Sequence, residues 1–462
     1  MFKLIISNSH LIFQNKSFEL DDLYTLDFLT FSNSQAETFY DESYYVNELF
    51  LNIYQPWLAL KFFIENKKIS LVEFNSPSYK LGALIKDLEK ECDFKIINKK
   101  RSIRYIKISM FTYFNLTITS LYLVFWMLRI STKKGFQKHP ENKFIITRTK
   151  ASENKFQYFD YPKEIEDFKN KTSIYSKFSL KKRIFWIFKS FLDSLSHLKI
   201  IKKNIRKKIG KNSVEIAFSY YSIRLVHTLL YEKIINSYFN QYNNQTFYTG
   251  NNLDRFSIVE EKIAKKHNFR LICIPHGLEY GFKFPKGFSG DIIFSTTKNA
   301  ETYLNQIYST EKFIFNRVIA EKMFKVKSFN KISDRKIIFF TESREINVNV
   351  NIIKELIPLL DKEGLRLCLK LHPKDNLKNY SSFDVDLIDS IEEALINNIC
   401  FARKSTTLIE CIYNNSKAAA ILTNSKDICL FHTFPSLQNK EIHVTTNVNE
   451  LFKWIKINID RI

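Results

Sequence analysis

Glycine is nearly absent from this chain, with nine in 462 residues. That scarcity excludes collagen-like and glycine-linker sequences. Neither G-x-G-x-x-G nor G-x-x-x-x-G-K-S/T occurs, so the usual dinucleotide and P-loop phosphate cradles are missing. Cysteine is sparse as well: Cys92, Cys273, Cys368, Cys400, Cys411 and Cys429 form no C-x-x-C pair and no Cys/His cluster at zinc spacing. Several sit in apolar strand-like runs, where a free thiol packs as a small hydrophobe. The expectation is a reducing cytoplasm and no structural metal. The apolar run in MFKLIISNSH is too short for a signal peptide and has no small-residue cleavage site.

What is present is length, aromatic bulk and positive charge. The chain is too long for one ordinary core and fits two or three domains. Aromatics make up 15% of it, ample for burial and contrary to a disordered chain. Lys and Arg total 70 against 48 Asp and Glu, and the net +22 points to an acidic partner or an acidic neighbourhood.

Strand-like and helix-like segments alternate along the chain, the pattern of parallel sheets with crossover helices. KLIISNS and FLTFSNS read as strands, Asp41–Asn66 as a helix, KISLVEFNS and FKIIN as strands around a helix over Lys80–Glu91, and NKFIITRTK as another strand. From Val214 the alternation is regular: strand VEIAFSYY, a helix to Tyr238, strand QTFYTGN, helix Arg255–His267, strands RLICIPHG and DIIFST, and helix Asn299–Ser309. A second alternating unit starts at the strand KIIFF (Lys336–Phe340) and runs through LRLCLKLHP, VDLID, ICFA and AAAIL to a final helix, Asn447–Ile457. The fold class is therefore α/β: two doubly wound, Rossmann-type domains with a break near Phe324–Asp334 and a ligand cleft between them.

Two stretches break the alternation. Met110–Leu128 carries no charge for 19 residues, but Asn115, Ser120 and three Thr make it a mediocre membrane span. A buried or interface-lying helix is expected instead. Lys181–Lys211 holds 11 Lys/Arg against Asp193 alone. Phe185, Trp186, Phe188, Phe191, Leu192, Leu195 and Leu198 form an apolar stripe at helical spacing. This describes a helix on an anionic membrane surface, or a solvated basic helix whose stripe packs on the core; RNA binding is a third reading, without a supporting nucleic-acid signature.

Candidate chemistry gathers at four places. Five of the nine glycines fall between Gly250 and Gly290, around His276 and Gly277, at what should be a strand's C-terminal edge. In LKLHPKDN, Lys370 and His372 share a strand face and Pro373 ends the strand, a site suited to phosphate or carboxylate. Nine His and nine Pro predict roughly 0.2 His-Pro pairs by chance. Two occur, the other being His139-Pro140 in a polar loop. In FARKSTTLIE, Arg403 and Lys404 lead into Ser405, Thr406 and Thr407 at a helix start, which reads as a phosphate site or as ordinary capping; Glu410 lies one turn in. FFTESRE places Thr341, Glu342, Ser343, Arg344 and Glu345 in an analogous loop.

The order PHG, then K-x-HP, then S-T-T-x-x-E resembles bacterial two-domain GT-B glycosyltransferases that use CMP-activated sialic acids and related nonulosonates, especially capsule and lipooligosaccharide sialyltransferases and polysialyltransferases. The resemblance covers roughly Val214–Leu422. It implies that His372, Pro373, Ser405, Thr406 and Thr407 hold the CMP moiety with Lys370 and Glu410, with no cofactor and no metal. The acidic pair before glycine that usually carries the base in such enzymes is missing. Lys362-Glu363-Gly364 does not replace it, because it reads as a helix end. The PHG loop is similar to the His-Gly element of CDP-glycerol polymerases, which makes His276 the candidate base, with Glu279 as the alternative. In another arrangement His276 binds the donor carboxylate and Glu345 or Asp254 takes the proton; Gly277 and Arg255 complete the candidate contacts.

By this resemblance residues 1–325 form an acceptor-side domain with a helical, basic insertion at about 101–211. Residues 326–446 form the nucleotide-sugar domain, and 447–462 a helix that can cross back to the first. The expected partners are a CMP-activated sugar, a glycan acceptor that can be lipid-linked, and an anionic membrane at Lys181–Lys211, with no nucleic acid. The expected location is cytoplasmic, peripheral at the inner face of a bacterial inner membrane. The competing class is a non-catalytic basic membrane-associated protein on the same scaffold.

Overall fold

The computed structural model describes residues 2–39, 43–97, 108–132, 143–148, 153, 156, 159–167, 169–170, 173–242, 245–274, 277–326 and 335–459. Two compact units divide the chain: Met1–His276 with Phe282–Ile293, and Gly277–Gly281 with Phe294–Ile462.

The first unit opens with a sheet of five strands: β1 (Phe2–Asn8), β2 (His10–Phe13), β3 (Lys16–Glu19), β4 (Ile69–Pro77) and β5 (Lys95–Ile97), in the order β3-β2-β1-β4-β5. Its β1, β4 and β5 run parallel and the β2–β3 hairpin closes one edge antiparallel. FLTFSNS, read above as a strand, is instead part of the helix Leu26–Ala36. The Thr25 side chain caps it by accepting from Phe28 N–H at 3.2 Å, and Phe28, Leu29, Ser32 and Ala36 are buried at helical spacing.

Next come three long helices, Ile108–Arg129, Leu180–Lys208 and Lys211–Phe239. VEIAFSYY is a correction too: it lies inside the 29-residue helix Lys211–Phe239. Val214, Ile216, Ala217 and Tyr221 are buried while Ser219 and Tyr220 face outward, a one-sided burial at helical spacing that overrides strand propensity. The start of this helix is held from another helix. Asp87, fully buried in Tyr79–Leu88, accepts from Asn212 N–H at 3.2 Å, Asn212 Nδ2 at 2.7 Å, and both Ser213 N–H and Ser213 Oγ at 2.7 Å. Gly210, at φ 155°, leaves room for it: a Cβ there would stand 2.3 Å from the carboxylate.

The second sheet contains β6 (Lys143–Thr147), β7 (Lys163–Ile165), β8 (Thr246–Thr249), β9 (Arg270–Cys273), β10 (Ile292–Ser295) and β11 (Phe313–Phe315), in the order β11-β10-β9-β8-β6-β7. The pairs β7–β6, β6–β8, β8–β9 and β9–β10 are parallel. The third sheet, in the second unit, is β14-β13-β12-β15-β16-β17, parallel throughout. Its strands are β12 (Ile337–Phe340), β13 (Leu367–Lys370), β14 (Asp386–Leu387), β15 (Ile399–Ala402), β16 (Lys417–Ile421) and β17 (Ile442–Thr445). Counted within the sheet, this is the 3-2-1-4-5-6 order of a doubly wound fold.

Every residue of β12 and β15 is buried, as continuous apolar runs covered on both faces must be. On one face Phe339, Leu369, Phe401 and Ile421 pack with Ile353 and Leu356 of the helix Ile346–Asp361 and with Leu451 and Ile455 of Val448–Ile459. The closing helix, read as one that can cross back, thus packs on the second unit's own sheet. Gly364, at φ 68°, ends Ile346–Asp361, with Leu365 N–H returning to Leu360 O at 3.0 Å. Two Rossmann-type parallel sheets are therefore present.

Asp87→Ala should leave four donors without their acceptor and lower stability by about 3 to 5 kcal/mol. Urea denaturation measures this, and a shift below 1 kcal/mol would mean that the Asp87 cap does not secure Lys211–Phe239.

Candidate functional site

The order of the third sheet reverses between β12 and β15, and a doubly wound sheet binds ligands at such a switch point, beyond the strands' carboxyl ends. Phe340 is in register with both Lys370 and Ala402, so β13, β12 and β15 end abreast. Lys370-Leu371-His372, Thr341-Glu342 and Arg403-Lys404-Ser405 leave the sheet side by side. By strand spacing the outer two of these are about 10 Å apart.

His372 is exposed, and its position is set by its neighbours. Its N–H donates to Thr341 Oγ1 at 3.1 Å, Thr341 Oγ1 donates to Asp375 Oδ2 at 2.7 Å, and Tyr380 OH donates to the same oxygen at 2.7 Å. Burial pushes Asp375 up, but the bonds from Thr341 and Tyr380 outweigh it and hold the carboxyl below its usual range. Lys374 N–H donates to His372 Nδ1 at 3.1 Å. An accepting Nδ1 assigns the neutral ring's proton to Nε2, leaving an N–H donor available at the sheet edge. The Lys370 ammonium is turned toward the Asp389 carbonyl.

Arg403 has no solvent exposure. Its guanidinium grips Asp427 with Nε at 2.6 Å and Nη2 at 2.9 Å, pairs with Glu345, and donates from Nη1 to Arg344 O at 3.1 Å. Lys404 pairs with Glu342 at 3.1 Å and with Asp427, and Lys426 with Glu345 at 2.9 Å. Burial opposes ionisation of Asp427 and Glu345, yet these cations keep both carboxyls below the ordinary range. Three cations thus meet three carboxylates. Arg403 and Lys404, read from sequence as phosphate-facing charge, are neutralised inside the protein.

The three hydroxyls form a turn of their own. Ser405 Oγ accepts from Thr407 Oγ1 at 2.8 Å and Thr407 N–H at 3.3 Å, while Thr406, at the start of helix Thr407–Tyr413, makes no side-chain cap bond. Glu410 is half-buried on that helix.

The remaining sequence candidates fall elsewhere. His276 lies outside the described residues, as does His139-Pro140. Glu279 is fully buried and accepts from Thr296 N–H at 2.7 Å, from Thr296 Oγ1 at 2.8 Å and from Ser436. Burial raises its pKa above the usual range. A Cβ on Gly277 would meet nothing within 4 Å. Asp254 caps Arg255–Lys266 through Phe256 and Ser257 N–H, and Arg255 bonds Glu48 and Thr228 at 3.0 Å each. Glu345 is taken up by Arg403 and Lys426.

A second cluster was not anticipated from the sequence. It sits at the carboxyl edge of the second sheet, whose order reverses between β6 and β8. Glu166, just past β7, bonds His227 Nε2 at 2.8 Å and accepts from Tyr175 OH at 2.8 Å. Arg148, just past β6, lies flat on Phe256 at 3.3 Å, with Glu166 and Asp254 at 3.9 and 3.8 Å. Burial works to raise Glu166, but His227 and Arg148 prevail and hold its carboxyl low. Beside it Glu260, fully buried, accepts from Tyr231 OH and Asn251 Nδ2 at 2.7 Å each, and burial pushes its pKa up to about 7. A carboxylate, an imidazole and a phenol at one sheet edge can hold and pass a proton. His227 and Glu166 are 61 residues apart, and neither lies in a motif.

No protein-family model matches the chain, and no curated protein matches it. Among solved structures it is similar to the Methanocaldococcus jannaschii UDP-GlcNAc 2-epimerase in complex with UDP-GlcNAc and UDP, at 12% identity and a TM-score of 0.39, over 69% of this chain and 92% of that one. At that level the class of fold rests on the sheets described above: an α/β chain with two Rossmann-type parallel sheets.

Glu260 binds its proton more tightly folded than unfolded, so its contribution to stability is complete near pH 4 and declines as pH rises toward 7. Melting temperature should fall between pH 5 and 8 by an amount equivalent to at most about 3 kcal/mol. Glu260→Gln should flatten that slope; an unchanged slope would assign it to other groups.

Proposed function

We propose that this chain is an inverting, metal-independent glycosyltransferase that moves a sialic-acid-like nonulosonic sugar from a CMP-activated donor to a surface glycan, in capsule or lipopolysaccharide synthesis at the inner face of a bacterial inner membrane. The observation that carries the reading is the switch point of the third sheet, where His372 and Ser405–Thr407 lie on strand ends that finish abreast. The motif resemblance assigns those same residues to the CMP moiety.

As the bond between the sugar and CMP breaks, negative charge grows on the departing phosphate, and donors aimed at it lower the barrier. With Arg403 and Lys404 neutralised by carboxylates, that work falls to the His372 Nε2–H and to the Ser405, Thr406 and Thr407 hydroxyls. The acceptor hydroxyl loses its proton as it attacks the sugar. His276 is the base that the resemblance supplies; Glu279 is held by Thr296 and Ser436, so it would need those bonds to open first.

Purified protein given CMP-sialic or CMP-pseudaminic donor and a lipid-linked acceptor should release CMP, and His372→Ala should lower the rate about 10- to 100-fold, the loss of one charge-assisted hydrogen bond. Full activity in that variant overturns the donor site. Consumption of CDP-glycerol alone replaces the reading with polyol-phosphate transfer. If titration calorimetry detects neither CMP nor CDP binding, a non-catalytic, membrane-associated basic protein stands instead.

A further inference from the structure

Ile108–Arg129 is long and apolar enough to cross a membrane, yet its packing binds it to the protein along one narrow seam. Thr112, Leu116, Leu123 and Met127 are buried there. At its middle Asn115 Nδ2 donates to Ser222 Oγ at 3.1 Å and Thr119 Oγ1 to the Ile223 carbonyl at 3.3 Å, both on Lys211–Phe239. At its end the buried Arg183 of Leu180–Lys208 donates to the Ile130 carbonyl at 2.9 Å. The opposite side is bare. Phe111, Phe114, Ile118, Leu121, Phe125 and Leu128 recur every three or four residues and are all exposed.

The helices packed against Ile108–Arg129 also expose apolar side chains. Phe185, Phe188 and Leu192 project from Leu180–Lys208 on a stripe separate from its buried seam, and Tyr220 and Ile223 are exposed beside Thr119's partner carbonyl. So much exposed aromatic and aliphatic surface on helices that pack together marks an interaction site. Its charge identifies the partner. Ile108–Arg129 contains no acidic residue, and exposed Lys181, Lys182 and Lys189 flank the Phe185–Leu192 stripe. Arg129 stacks on Phe125 at 4.2 Å and Arg224 on Tyr220 at 4.2 Å, the aromatic-plus-cation arrangement of a membrane–water boundary.

We infer that these three helices form a lipid-docking face: the exposed stripe of Ile108–Arg129, with Phe185, Phe188 and Leu192, lies flat in the headgroup region of an anionic bilayer. A transmembrane orientation is disfavoured by the seam, because crossing would draw Glu215, Arg224 and the cations of Leu180–Lys208 into hydrocarbon with the helix. The inference deepens the peripheral location proposed above, which rested on the basic, amphipathic Lys181–Lys211 stretch, by adding the exposed stripe of Ile108–Arg129 and fixing which side chains face the lipid.

The test is co-sedimentation of the full chain with phosphatidylcholine vesicles, with and without about a third phosphatidylglycerol. The intact protein should bind the anionic vesicles, and vesicles carrying bromolipid should quench its tryptophan fluorescence, an effect weakened in Trp126→Phe, which removes the half-buried indole beside exposed Phe125. Combined Phe114→Glu, Leu121→Glu, Phe185→Glu and Phe188→Glu should weaken binding at least about tenfold without lowering the melting temperature, since these side chains are exposed in the fold. Intact protein that ignores vesicles overturns both the face and the membrane location, including where a second copy covers the face instead. Vesicle binding unchanged in the quadruple variant, with no quenching of the intact protein, overturns the face and leaves a charge-only attachment. Retention in vesicles after alkaline carbonate overturns the flat orientation in favour of a span. CMP release plays no part in any arm, so the sugar-transfer reading stands or falls separately.

Discussion

A guanidinium with no route to water must be matched by carboxylates, and the second unit is built around that demand. Arg403 follows the all-buried strand β15, so its charge arrives in the interior by necessity of the chain path. Arginine cannot shed its proton there. Asp427 answers with a bidentate grip from the start of helix Ser425–His432, and Glu345 with a second pair from the start of Ile346–Asp361. Glu345 is held at φ 53° in the left-handed region, a conformation worth about 1–3 kcal/mol of strain in a non-glycine residue. Its two ion pairs, to Arg403 and Lys426, offset that cost. The ends of β12 and β15 are thereby tied to two helices, and the crevice where the hydroxyls sit keeps its shape.

The two parallel sheets treat their switch points differently. In the third sheet Arg403 and Lys404 are cancelled by carboxylates, and the hydrogen-bonding groups left at the edge are the His372 imidazole and the Ser405–Thr407 hydroxyls, beside the exposed Arg344 and Lys374. In the second sheet the ionisable groups themselves converge, with Glu166 shared by His227, Tyr175 and Arg148. The first arrangement suits recognition by hydrogen bonds, whose direction is set in advance. The second suits proton handling, because a low-lying carboxylate fixes the orientation of the imidazole beside it.

How much of this was legible in the sequence depends on the range of the deciding interaction. KIIFF, LRLCLKLHP and ICFA announced β12, β13 and β15 because strands buried on both faces are apolar throughout, and that signal is local. Lys362-Glu363-Gly364 was read correctly as a helix end for the same reason. VEIAFSYY misled, because its buried residues are covered on a helix by partners far off in the chain, such as Tyr45, whose ring lies 4.6 Å from that of Tyr221. The His372 loop could be singled out from a motif. Its bond to Thr341, 31 positions earlier, could not, nor could the pairing of Arg403 with Asp427. The separate five-stranded sheet was missed because β1 and β4 look like any alternating pair until their register is known.

Leu180–Lys208 carries the most demanding sequence pattern in the chain, and its folded state explains why. Arg183, Ile187, Ser190, Ser194, Leu198, Ile201 and Ile205 recur every three or four residues and are buried, a seam narrow enough to leave most of the helix circumference free. A helix that needed only to be soluble would fill the remainder with polar residues. Here the first half of that remainder holds Phe185, Phe188 and Leu192, while the second half holds the exposed Lys199, Lys202, Lys203, Arg206 and Lys207. Core packing accounts for the seam alone. The single stripe of Phe185, Trp186, Phe188, Phe191, Leu192, Leu195 and Leu198 read from the sequence is therefore two: Trp186 and Leu198 turn inward, Phe185, Phe188 and Leu192 outward. Periodicity finds an apolar face, but only the packing of neighbouring helices divides it into the part that stabilises the fold and the part left for a partner.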